Sequence, residues 1–149
     1  MSGLLPTVTA PLATGLLIAE LAIAGALVAG TLLARAGHVR AHRALQSSMV
    51  LLNLPIVLTL MAPAYWTYVL PGIPGSLGQS FYLYPTLMLV AGAAAEALGV
   101  YIVLAAGTNW VPERFRFRRY KLWMRTELIL WWAVVLAGIA TYYAWWVPT

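Results

Sequence analysis

Apolar runs of membrane-spanning length, separated by short polar or turn-rich stretches, make up most of this chain. They extend from about Leu12 to Ala34, Ala44 to Val69, Phe81 to Ala106 and Met124 to Val147. A helix needs about 20 mainly apolar residues to cross a bilayer. Each run is long enough to cross with some tilt, and none is long enough to cross twice. The pattern predicts an all-α fold, an integral membrane four-helix bundle forming a single membrane domain over residues 1–149. Pro55 removes a backbone hydrogen bond inside the second run and predicts a kink there. The 71–80 connection holds Gly72, Gly75, Gly78, Pro71 and Pro74 and no charge, so an ordered, turn-rich loop is expected. Small residues four apart predict the faces on which helices approach closely. These are Gly25 with Ala29, Ala26 with Gly30, Ala91 with Ala95 and Gly99, and Ala133 with Ala137.

The polar residues orient the bundle. All nine basic residues fall in two stretches, Arg35, Arg40 and Arg43 in one, and Arg114, Arg116, Arg118, Arg119, Lys121 and Arg125 in the other. Basic loops stay on the cytoplasmic side. Loops 35–43 and 107–125 are therefore expected to be cytoplasmic, with both termini and the middle loop on the non-cytoplasmic side of the cytoplasmic (inner) membrane. The first basic residue is Arg35, so no cleaved signal peptide is expected. Hydrophobic residues make up 62% of the chain and charged residues 9%, where a soluble domain carries about a quarter. The net charge of +5 does not point to nucleic acid. The six basic residues of the second stretch lie beside membrane spans, where anionic lipid head groups attract them. Cysteine is absent, which excludes disulfides and thiolate chemistry. Tyr65, Trp66, Tyr68, Phe81, Tyr82, Tyr84, Tyr142, Tyr143, Trp145 and Trp146 predict an aromatic belt at the outer interface, and Trp110, Trp123, Trp131 and Trp132 one nearer the inner face.

Candidate chemistry rests on a few polar positions. Glu20, Asn53, Glu96 and Glu127 fall within spans, where a charged side chain costs about 3 kcal/mol on insertion scales. Such groups face the bundle interior or a neighbouring protein. Counting along antiparallel helices brings Glu20 and Asn53 together near the midplane. Glu20 is then protonated, bonded to Asn53 or turned toward a partner. Glu96 falls in the inner half, tied to a basic loop residue or to Glu127 by a shared proton. Glu127 opens the fourth span, where a carboxylate complements the helix N-terminus. His38 and His42, the two histidines, share one inner loop and cannot form a haem-bridging pair across the bilayer. No nucleophile–base pair, phosphate loop or zinc signature appears, so the chain is not expected to be an enzyme and no metal is expected.

The stretch Arg116-Phe117-Arg118-Arg119-Tyr120-Lys121-Leu122-Trp123-Met124-Arg125, with Trp131, Gly138 and Tyr142 beyond it, resembles the end of the DUF420 membrane proteins. His42-Arg43, followed by Met49, is similar to that family's earlier His-Arg motif. The resemblance implies a four- or five-helix bundle associated with haem–copper oxidase biogenesis or respiration, with histidines that serve a haem or metal. Tyr120 stands where the family's loop histidine would be, and the third span has no histidine. Only His42 carries over as a cofactor-binding candidate, and the cofactor role is expected to be lost.

Three functions follow as expectations. The first is a non-catalytic accessory subunit or assembly factor of a larger respiratory or photosynthetic membrane complex, its partners being anionic lipids and other integral membrane subunits. The second is a small haem b- or quinone-binding redox protein. The third is a small proton-coupled carrier using Glu20 and Glu96.

Overall fold

The computed structural model describes residues 10–147. Its regular structure is helical, with no strand among the described residues. Four helical runs are long and apolar enough to cross a membrane: α1 (Pro11–Arg35), α2 (Val39–Ser76), α3 (Ser80–Gly107) and α4 (Tyr120–Trp146). The first three contain their predicted runs, and the fourth ends at Trp146, one residue short of its run. α1 packs on α2 and α4, and α3 packs on α2 and, most extensively, on α4. The four helices thus close a ring around Ile23, Leu27, Val50, Ala95, Trp131 and Val134.

Gly37 makes the tight α1–α2 turn at φ +83°, a conformation that a Cβ would strain. The second run departs most from expectation. It stays helical through Ser76, so only residues 77–79 remain as the turn before α3. Proline sets its form. A π-helical segment, Val57–Met61, begins two residues after Pro55, and a second, Tyr65–Val69, begins two residues after Pro63. Widening the turn to an i→i+5 bond accommodates a ring that cannot donate. Pro71 and Pro74 then sit in the first turns of short helical pieces, Leu70–Gly72 and Ile73–Ser76, where a fixed φ near −65° suits the start of a helix. At about 1.5 Å per residue, the 38 residues of α2 exceed the length that a bilayer crossing requires.

The small-residue stripes sort into two groups. Ala95 and Gly99 are buried on α3. Gly25 has no neighbour within 4 Å, and Ala29 and Ala133 are exposed. Those positions point away from the bundle, toward where lipid would lie. On α4 the inward face is instead Trp131, Val134, Val135, Gly138 and Thr141.

Candidate functional site

The bundle interior holds two polar sites in sequence along its axis. The deeper one joins three helices. Asn53 Nδ2 of α2 donates to Glu96 Oε2 of α3 at 3.0 Å. Both residues are buried, at 8% and 7% exposure. Asn53 therefore bonds Glu96 rather than Glu20, which the residue count had placed beside it. On α4, Trp131 Nε1 donates to Glu127 Oε1 at 2.7 Å, one turn back along its own helix. Gly99 makes room for that carboxylate. A Cβ there would lie 2.7 Å from Glu127 Oε1 and 2.9 Å from a Val50 methyl. Glu96 and Glu127 retain one buried oxygen each, Oε1 and Oε2, without a hydrogen-bond partner among the described residues. Trp131, placed by its sequence position in an interfacial belt, is 4% exposed and belongs to the core.

The second site lies toward the end of the bundle that bears no basic residue. A cavity of about 400 Å³ opens between the helices, with Asn53 and Trp131 toward the basic end and Leu12, Tyr68 and Trp146 toward the opposite end. Asn53 and Trp131 therefore belong to both sites. Glu20 of α1 enters the cavity wall and rests on Gly138 of α4, where any Cβ would overlap its carboxylate. Glu20 makes no hydrogen bond or ion pair with another described residue. It is half-buried and turned into the bundle rather than out toward a neighbouring chain.

Most polar groups around the cavity are already engaged. Trp145 Nε1 donates to the Phe81 carbonyl at 3.0 Å. Thr141 and Thr59 each donate to the carbonyl four residues back, on Ala137 and Pro55. Thr86 donates to the Tyr82 carbonyl, so the Tyr65 hydroxyl, 3.1 Å from Thr86 Oγ1, is the donor of that pair. Tyr142 pairs with Thr14 at 3.1 Å. The result is an aromatic, apolar chamber with few free donors and one free carboxylate.

The basic end is organised differently. His42 Nδ1 lies 2.8 Å from the Gly30 carbonyl, tying the start of α2 to α1. As donor through Nδ1, the ring keeps its Nε2 lone pair. No group of three or more His, Asp or Glu side chains able to hold a metal occurs among the described residues. In the α3–α4 connection, Arg116 folds back, with Nε to the Val111 carbonyl at 2.9 Å and Nη2 to the Thr108 carbonyl at 3.0 Å. Phe117 stacks on Trp123 at 4.1 Å and touches Tyr101 at 4.5 Å, while the Tyr101 hydroxyl donates to the Phe115 carbonyl. Arg114, Arg118, Arg119, Lys121 and Arg125 remain exposed, with Arg114 over the Phe115 ring at 4.7 Å. Of the six predicted head-group contacts, Arg116 is thus also a brace of the loop.

Sequence reasoning found Glu20, Asn53, Glu96 and Glu127 but missed their companions. Trp131 was detectable as an indole donor four residues beyond a membrane carboxylate, a spacing that faces it. Gly138 carried no signal of its own. No protein-family model, curated protein or solved structure matches the chain.

Proposed function

We propose that this chain is a binding protein of the cytoplasmic membrane, its basic loops cytoplasmic, that takes up a small, mostly apolar molecule between its helices and does no bond-making chemistry on it. The observation that carries this reading is the cavity of about 400 Å³, with the carboxylate of Glu20 in its wall. Ligand sites are concave and mainly apolar, with a few polar groups that fix orientation. A carboxylate retained at membrane depth against a cost of about 3 kcal/mol defaults to function. The inward aim of Glu20 and Glu96 also favours an interior role for them over contact with a neighbouring subunit.

The test is native mass spectrometry of the protein extracted in mild detergent. The expected result is a stoichiometric small molecule, lost when Leu16→Trp fills the cavity. Retention of the same molecule in Leu16→Trp, or a bare wild-type chain that binds no added apolar compound, contradicts the reading.

A second reading is an accessory subunit or assembly factor of a larger respiratory or photosynthetic complex. Trp110 favours it: this indole is 81% exposed beside the exposed arginines of the α3–α4 connection, an aromatic and cationic surface. The resemblance to DUF420 proteins points the same way. Stoichiometric recovery of larger membrane subunits with the tagged chain supports this role. Recovery of the chain alone opposes it.

A further inference from the structure

We infer that the cavity recognises a lipophilic organic cation, with Glu20 as its counter-ion and the surrounding aromatic rings as its cage. The inference rests on the binding reading above and specifies its ligand class.

Three independent observations converge. The first is the state of the polar groups. A carbonyl-bearing ligand such as a quinone needs donors, yet the indole N–H of Trp131 and of Trp145, the hydroxyls of Thr59, Thr141 and Tyr65, and an amide N–H of Asn53 are engaged within the protein. The Thr67 hydroxyl and the second Asn53 N–H remain as donors, and the one free charged group of the wall is an acceptor, Glu20, which has no partner among the described residues.

The second is the wall. Tyr65, Tyr68, Trp131, Tyr142, Trp145 and Trp146 line the chamber. Aromatic faces attract a cation within about 6 Å, and cages of them recognise quaternary ammonium groups. An aromatic wall with a carboxylate solvates charge and hydrocarbon together.

The third is the charge distribution. All nine basic residues lie toward the other end of the bundle, and none lines the cavity. Among the described lining residues the titratable groups are Glu20 from α1, Tyr65 and Tyr68 from α2 and Tyr142 from α4, with none from α3. No fixed positive charge repels a cation there, and Glu20 is the carboxylate that can neutralise it. A proton and the cation then compete for the same carboxylate, so binding weakens as pH falls.

The experiment compares benzyltrimethylammonium with its neutral isostere neopentylbenzene. Binding to the purified protein in nanodiscs is followed by quenching of the cavity tryptophans. The expected result is at least tenfold tighter binding of the cation, a preference abolished in Glu20→Gln, partly kept in Glu20→Asp, and diminished at low pH in the wild type. Equal binding of both compounds, independent of pH, overturns the cation inference while leaving the cavity a binding site. Binding of neither compound overturns the cation inference and counts against the binding reading itself. Should Glu20→Gln not fold, the pH series and Glu20→Asp decide the matter.

Discussion

The two ends of the bundle handle polar groups in opposite ways. Toward the basic end, polar side chains are tied to one another and to backbone: Asn53 to Glu96, Trp131 to Glu127, His42 to the Gly30 carbonyl, Arg116 to two loop carbonyls. Toward the aromatic end the helices part around a cavity, and Glu20 is left without a described partner. Lipid is as apolar as a protein core, so it gives helices no net drive to associate, and packing and hydrogen bonds do the work. The tied end therefore supplies cohesion. The open end is where cohesion is given up, and the proposed binding site rests on that difference. On that proposal the same carboxylate chemistry serves as scaffold at Glu96 and Glu127 and as recognition at Glu20.

Trp131 sits where the two ends meet, so its removal has the largest expected effect. Trp131→Ala empties core volume and strips Glu127 of its donor, and should cost about 3–5 kcal/mol. Trp131→Phe keeps most of the volume and loses only the N–H, at about 1 kcal/mol. Thermal unfolding in detergent measures both. Equal losses would mean that the hydrogen bond, not packing, dominates at this junction.

Gly138→Leu comes next, at about 1–3 kcal/mol from overpacking against Glu20. It should also abolish ligand retention, because it drives the carboxylate from its seat. Full stability with intact binding would show that α1 and α4 are not in contact there.

Asn53→Ala should cost about 1 kcal/mol, the scale of hydrogen bonds between membrane helices. Because Asn53 also lines the cavity, a small loss of affinity is expected with it. A larger loss of affinity than in Glu20→Gln would move the centre of recognition to the tied site.

The smallest effects on stability belong to the exposed cations. Arg118→Ala with Arg119→Ala should leave the unfolding temperature unchanged while reducing co-purifying anionic lipid, each charge contributing about 1 kcal/mol at an anionic surface. Arg116→Ala should do the reverse, lowering stability through its two lost loop bonds. Lipid mass spectrometry beside thermal unfolding separates the two behaviours.

Which of these features the sequence displays follows from how each is encoded. The four spans are legible because length and hydropathy are one-dimensional properties. The extension of α2 through Ser76 is not, because Pro71 and Pro74 read as turn formers unless each is known to open a helical turn. The inward faces are also hidden. Gly25 and Ala29 carry the same small-residue spacing as Ala95 and Gly99, yet the first pair faces outward and the second faces the core. In lipid both faces of a helix are apolar, so periodicity loses the contrast it has in water. Counting residues set Asn53 beside Glu20 near the midplane and Glu96 apart in the inner half, and so paired Asn53 with the wrong carboxylate, because rotation about each helix axis decides that Asn53 meets Glu96.

The central claim, that the carboxylates differ in accessibility along the bundle axis, is tested most directly by labelling the intact protein with dicyclohexylcarbodiimide. This apolar reagent reaches carboxyl groups from within the bilayer. The adducts are mapped by mass spectrometry. The account predicts that Glu20 is modified first, that a cavity ligand protects it, and that Glu96 and Glu127 are modified slowly. Equal labelling of all three, or labelling of Glu96 before Glu20, would contradict it.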